Sequence, residues 1–440
     1  MKNFDKSFIY KLRVLWAYKD LLRNHFGPIS QRYFNNFRKS QLAAAHRLKG
    51  KETIDVAFFI TIPGMWKTDE LFRQMRDKPR YHPFIVIYPY SVYKEFDKEE
   101  NLRVLKRTEE FFEKKGYEYV VPFDKNNNKW LDIKKIRKPD IVFFSSPYKD
   151  TFPNYYIYHY RDTLTCYVPY GFSSLKLNQT NYNMVFHNLV GLFMLETDVH
   201  RSLAIRYSRN HGANAITAGY PATEVFLRTD YQPKDIWKPQ EKAKKKVIYA
   251  PHHSVDRADF PSVFLDTCDA MLALAEKFAD RIQFVFKPHQ LLKFKLQQIW
   301  GVEKTEEYYR RWDSMPNTQL VSDGYVDLFL TSDAMIHDCG SFTTEYLFTR
   351  KPVMYLCRKD ADMEDKFNEF GMQSFRCHYH GQTADDVERF LHDVVLDGND
   401  PMKGQREEFF DTHLKPKDGM LPSQKIIDVL ERTIAGEEVS

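Results

Sequence analysis

From residue 54 onward the chain alternates short apolar runs with amphipathic stretches. Residues 54–62 form a continuous apolar run that ends in Pro63-Gly64, and Thr68 is then placed to cap a helix carrying Leu71, Phe72 and Met75. Runs of the same kind recur at 84–88, 117–121, 141–144, 164–168, 192–195 and 215–218, with helical spacing between most of them. Continuous apolar strands predict a parallel sheet covered on both faces, because an exposed face would require alternation. Residues 51–230 therefore read as a Rossmann-like α/β domain.

The pattern then breaks. Residues 231–246 carry Pro233, Pro239 and six lysines between 229 and 246, which reads as a linker. Alternation restarts with strands at 247–250, 282–287, 319–321, 334–337 and 353–356, and helices at 262–278, 291–300 and 342–349. Helices near 384–395 and 425–433 close the chain, so 247–440 is expected to be a second Rossmann-like domain. Two such domains place ligands at the carboxyl ends of their strands, in the manner of the two-domain GT-B fold.

The amino-terminal 50 residues differ from both halves. Phe8, Leu12, Leu15, Leu22 and Phe26 recur at helical spacing with Lys11, Arg13, Lys19 and Arg23 between them, and Gly27-Pro28 is expected to stop that helix. Arg32, Arg38, Lys39, Arg47 and Lys49 follow. The formal net charge of +5 over 440 residues hides an asymmetry: residues 1–50 hold eleven Lys/Arg against two acids, while 51–440 hold 54 against 58. A basic amphipathic leader over residues 1–50 suits an anionic membrane surface or a protein partner. An acidic body excludes a nucleic-acid groove, which would need its own basic stripe.

No run approaches the roughly 18–20 uncharged apolar residues of a membrane span, and lysines and arginines interrupt any signal-like segment. A cytoplasmic, peripherally membrane-bound protein is expected. Five scattered cysteines without a CxxC pair predict neither a disulfide framework nor a structural metal, and no cofactor is expected.

Chemistry concentrates at predicted strand ends. Residues 332–345 read as a strand ending at His337, a turn holding Asp338, Gly340 and Ser341, and a helix bearing Glu345. Small residues at such a turn let a phosphate approach backbone N–H groups, and Glu345 is one turn on, where a carboxylate accepts from ribose hydroxyls. Lys287-Pro288-His289 follows another strand, pairing a phosphate-neutralising cation with a histidine. Pro251-His252-His253 follows a third. In the first half, Tyr170-Gly171 and Gly219-Tyr220-Pro221 are strand-end turns where glycine lets a ligand come close. Residues 63–67 are a weaker acceptor contact.

In this order, the motifs resemble those of the CDP-glycerol glycerophosphotransferase family, over about residues 164–356. Gly219-Tyr220-Pro221 matches the turn closing its first domain, and Tyr249-Ala250-Pro251 the strand opening its second. Lys287 and His289 match its Lys-x-His motif, and Asp338, Gly340-Ser341 and Glu345 echo its pyrophosphate and ribose motif. The family's first-domain histidine-glycine is Tyr170-Gly171 here, the arginine after Gly-Tyr-Pro is Ala222, and the proline after Lys-x-His is Gln290.

The resemblance implies a GT-B transferase of teichoic-acid or capsule synthesis. Its partners would be a CDP-activated alditol donor, a glycan or lipid-linked acceptor and, through the leader, the membrane. On that reading His289, His252 and His253 are catalytic. Lys287, Gly340, Ser341, Glu345, Asp338, Pro251, Tyr170, Gly171 and Gly219 bind the donor. Two rivals share these residues: a GT-B glycosyltransferase using a nucleotide sugar, and an inactive scaffold in a glycan-synthesis complex.

Overall fold

The computed structural model describes residues 27–88, 98–124, 126–127, 129–149, 151–256, 262–322, 324–358 and 362–439. Two compact units emerge. The first comprises residues 27–173, Leu177–Glu224 and 416–439; the second comprises Ser174–Lys176 and Val225–Lys415.

The first unit is built on strands β1 (Ile54–Ile60), β2 (Tyr81–Ile87), β3 (Tyr119–Val120), β6 (Ile141–Phe144), β7 (Leu164–Tyr167), β8 (Leu192–Leu195) and β9 (Ala215–Thr217), with a small antiparallel hairpin of β4 (Phe123–Asp124) and β5 (Lys129–Trp130) beside it. The sheet order is β3-β2-β1-β6-β7-β8-β9, and its neighbouring strands pair in parallel. Both faces are covered. Val56, Phe58 and Ile60 of β1 pack in one layer with Ile426 and Leu430, whereas Ala57 and Phe59 pack in the other with Phe34 and Phe37. Residues 54–60 are apolar throughout except for Asp55 because neither face meets water.

The second unit repeats the scheme with β10 (Lys245–Ala250), β11 (Ile282–Phe286), β12 (Thr318–Leu320), β13 (Ala334–His337), β14 (Val353–Leu356) and β15 (Tyr379–Gly381) in the order β12-β11-β10-β13-β14-β15, all parallel. This strand order reverses direction between β10 and β13, and at such a switch point the loops leave a crevice at the carboxyl edge.

Three boundaries differ from the sequence expectation. The helix expected before Gly27-Pro28 lies outside the described residues, while Gly27-Pro28 itself, read from the sequence as a break, lies in the helix Gly27–His46. That helix belongs to the first unit. Phe34, Phe37, Ala44, Ala45 and Leu48 are buried, and the Gln41 side chain donates to Tyr160 O at 2.9 Å and accepts from Thr165 N at 2.8 Å. The membrane-suited part of the leader, residues 7–26, lies outside the described residues.

At the other end, helix Pro422–Ala435 returns to the first unit instead of closing the second, with Glu431 bound by Arg80 and Tyr81. Residues 231–246 are likewise not an independent linker. Trp237 is buried in the second unit with its indole N–H on Thr331 Oγ1 at 2.9 Å, and Tyr231 donates to Asp327 at 2.7 Å. Helix Asp69–Arg76 forms where expected, but Thr68 makes no side-chain cap.

Candidate active site

The carboxyl ends of β10, β11 and β13 bring three of the expected motifs onto one edge of the second sheet. Beyond β11, the Lys287 N–H donates to Tyr249 O at 2.8 Å and the His289 N–H to Pro251 O at 3.0 Å, so the ladder with β10 continues into both motifs. Across the switch point, the His252 N–H donates to Asp338 Oδ1 at 2.6 Å. Backbone bonds thus hold Pro251, Lys287 and His289 in register, and the Asp338 carboxylate ties in His252.

Asp338 plays a different part from the one expected. Its carboxylate is buried, and its other oxygen accepts from Ser262 Oγ and from the Val263 N–H at 3.0 Å. Burial pushes its pKa up to about 6 against the pull of those donors. With both oxygens engaged inside the protein, Asp338 ties the loop after β10 to the start of helix Phe264–Lys277 and does not face a ligand.

The rings of His252, His253 and His289 form a half-buried cluster. Centroids lie 4.2 Å apart for His252 and His253 and 4.0 Å for His253 and His289, the latter pair stacked. His252 Nδ1 is 2.9 Å from Ser254 Oγ. His289 Nδ1 accepts the Leu291 N–H at 3.1 Å, which requires that nitrogen to be bare. Burial, then the neighbouring His253 and Lys287, lowers the His289 pKa to about 4. The ring is therefore neutral near pH 7 and carries its proton on Nε2, as a hydrogen-bond donor.

Nitrogens of the three rings lie within 4.8 Å of one another, close enough for a metal ion. As the rings stand, however, ligation through His289 Nε2 would require moving its proton to Nδ1 and breaking the bond to Leu291. His289 as it stands fits a donor to an anion better than a ligand to a cation.

Lys287 is buried among these groups, its Nζ 3.4 Å from Ser322 O. After β13, Gly340 is half-buried and Ser341 exposed, and a Cβ built on Gly340 meets nothing within 4 Å. That turn is open to a ligand. The helix beyond it is shorter than expected: Phe342–Glu345 is α-helical and Tyr346–Thr349 continues as a 3-10 turn, so backbone N–H groups matter here more than a long helix dipole. Glu345 is buried and hydrogen-bonded by the Tyr325 phenol, whose own pKa is raised by burial and by that carboxylate.

The remaining expected residues lie in the first unit. Tyr170 is exposed at the carboxyl end of β7, and a Cβ on Gly171 would meet nothing within 4 Å. Gly219 has a structural role instead: its φ is +80°, and a Cβ there would sit 2.8 Å from Pro422 Cγ, so it seats the carboxyl-terminal helix and does not open a donor site. Sequence reasoning passed over Ser262, Tyr325 and Glu196, each a polar partner of a loop. For Glu196 a signal existed, an acid directly following the apolar run 192–195.

Residues 193–432 match the sequence profile of the CDP-Glycerol:Poly(glycerophosphate) glycerophosphotransferase family, more than half of the chain. The chain belongs to this family. The match reaches further toward the carboxyl terminus than the 164–356 of the motif resemblance. No curated protein matches the chain in sequence.

Among solved structures, this glycerophosphotransferase-family chain is similar to the wall teichoic acid polymerase TagF, with a TM-score of 0.56 at 14% identity over 96% of this chain and 98% of that one. A UDP-GlcNAc 2-epimerase from Neisseria meningitidis bound to UDP-GlcNAc gives 0.51 at 14% identity over 86% and 99%. An S. aureus MnaA–UDP structure gives 0.54 at 13% over 88% and 100%. Identities this low establish the shared GT-B fold of two Rossmann-like sheets. The family makes the protein a glycerophosphotransferase-type transferase, and the fold is GT-B.

Proposed function

We propose that the protein transfers glycerol phosphate, or a related phospho-alditol, from a CDP-activated donor to a hydroxyl of a glycan or lipid-linked acceptor. The observation that carries this reading is the pairing of Lys287 with a neutral His289, whose proton is held on Nε2, beside the open Gly340-Ser341 turn at the switch point of the second sheet. Gly340 and Ser341 receive the pyrophosphate, Glu345 the ribose, and Lys287 the phosphate being transferred.

The acceptor oxygen forms a bond to the alditol-bearing phosphorus as the bond from that phosphorus to the bridging oxygen breaks, and CMP leaves with the bridging oxygen. The His289 Nε2–H donates to a non-bridging oxygen as charge builds there, which is the main task of a protein in phosphoryl transfer. The acceptor proton passes to His252 or His253. Residues 7–26 bring the enzyme to an anionic membrane surface, with the helix Gly27–His46 anchoring them to the first unit.

The test is incubation of the full chain with CDP-glycerol and a synthetic glycerol phosphate trimer. CMP release with a tetramer in the mass spectrum is expected. Turnover of UDP or CMP sugars in place of CDP-glycerol would establish the glycosyltransferase rival, and no turnover of any activated donor the scaffold.

A further inference from the structure

Strand β8 runs directly into an acid. Glu196 is only 5% exposed. Its Oε1 accepts the Ser173 N–H at 3.2 Å, while Oε2 has no hydrogen-bond partner and lies 3.9 Å from His200 Nδ1. That imidazole nitrogen sits 2.8 Å from Thr197 Oγ1. A buried carboxyl with one oxygen unsatisfied costs stability, and burial pushes this one up to about 7.

Ser173 shows what this hydrogen bond holds in place. Ser173 ends the turn Tyr170-Gly171-Phe172 at the carboxyl end of β7, the place where the family's histidine-glycine is expected. Tyr170 is exposed, Gly171 is open, and Phe172 is buried edge-on against Tyr220 with centroids 5.0 Å apart. The next three residues, Ser174–Lys176, belong to the second unit. There, Ser174 O accepts the Asn368 N–H at 2.9 Å, the Lys176 N–H donates to Lys366 O at 2.8 Å, and Leu175 bridges Phe367. The 170–173 turn is therefore held immediately on either side, and Glu196 supplies its hold within the first unit.

We propose that Glu196 is a positioning residue for the acceptor, its Oε1 fixing the 170–173 turn so that Tyr170 and Gly171 present a set surface to the attacking hydroxyl. The inference rests on the proposed transfer and on the first unit taking the acceptor, so that Tyr170 and Gly171 serve the acceptor and not, as the sequence led us to expect, the donor. It differs from a catalytic-base role in requiring the hydrogen-bond acceptor, not the charge. Glu196→Gln keeps an oxygen for the Ser173 N–H. Glu196→Asp keeps the charge but withdraws it by one methylene, and Glu196→Ala removes both.

Two measurements on the full chain decide the matter. In the first, KM for the glycerol phosphate trimer rises roughly tenfold in the Asp and Ala variants, the scale of one lost hydrogen bond, and stays within about threefold of wild type in the Gln variant. KM for CDP-glycerol is unchanged in all three. In the second, independent of turnover, amide hydrogen exchange across residues 168–177 quickens about tenfold in Asp and Ala and not in Gln. If Ala fails to fold, the Asp and Gln pair carries the comparison.

Equal trimer KM in all variants overturns the proposal, as does a Gln variant as impaired as Ala or a parallel rise in the KM for CDP-glycerol. Unchanged exchange in the Asp variant overturns it too. A wild-type chain that releases no CMP overturns the proposed transfer and this inference with it, whereas normal wild-type turnover with unaffected variants overturns this inference alone.

Discussion

His289→Gln tests the proton state of His289. In the fold the ring stays neutral down to about pH 4, because it is buried beside His253 and Lys287, while an unfolded histidine titrates near 6.5. The sign follows from proton counts. Between those values the unfolded chain binds a proton that the folded chain does not, so unfolding is favoured as pH falls; the full contribution is present above 6.5 and is lost through 4. For a shift of this size the loss relative to neutral pH is about 1.4 kcal/mol at pH 5.5 and about 2.6 kcal/mol at pH 4.5. A glutamine does not titrate, so the variant should lose that much less on acidification. Urea unfolding at pH 7.5, 5.5 and 4.5 measures it, with Trp312, fully buried in the core of the second unit, as a fluorescent reporter. In activity at pH 7.5 the same variant should lose roughly 10²- to 10³-fold in kcat, the scale of one donor to a developing oxyanion. Parallel pH dependence of stability in wild type and variant would refute the reasoning: His289 would then titrate near its ordinary value, and its bond from Leu291 would not set its proton on Nε2.

Further expectations separate ligand contacts from scaffold. Gly340→Ala places a methyl where nothing stands within 4 Å, so the melting temperature should hold while CDP-glycerol binds roughly tenfold or more weakly by calorimetry. Gly219→Ala should do the opposite: a φ of +80° costs an L-residue about 1–2 kcal/mol before the clash with Pro422 is counted, so stability falls while CDP-glycerol affinity is kept. Deleting residues 1–26, but not the helix Gly27–His46, should abolish sedimentation with anionic liposomes and leave the melting temperature unchanged; undiminished liposome binding would end the membrane reading.

What was legible in the chain, and what was not, divides along a physical line. The sheets were legible because a strand buried on both faces must be apolar at consecutive positions, and 141–144 or 192–195 admit no other economical reading. The motif positions were legible for the same reason, since Lys287, Pro251 and Asp338 follow strand ends that a parallel ladder holds level. Helix Gly27–His46 shows where this logic stops. Its stripe of Phe34, Phe37, Gln41 and Ala44, with Arg32, Arg38 and Lys39 distributed around it, asks for an apolar partner without saying whether that partner is lipid or a sheet. Only the position of Gln41, a polar residue inside the stripe, argues for protein, because its amide needs the specific donors and acceptors that Thr165 and Tyr160 supply and lipid lacks. The return of Pro422–Ala435 to the first unit was hidden for a related reason: helical periodicity is local, whereas the choice of the first sheet over the second depends on Glu431 meeting Arg80 and Tyr81 some 350 residues away. The roles within the site depend likewise on contacts between loops. Asp338 has the right residue type to meet a ligand, yet the N–H groups of His252 and Val263 and the hydroxyl of Ser262 take its oxygens first. A motif gives the address of a side chain, and the donors that reach it first determine whether it can still meet a substrate.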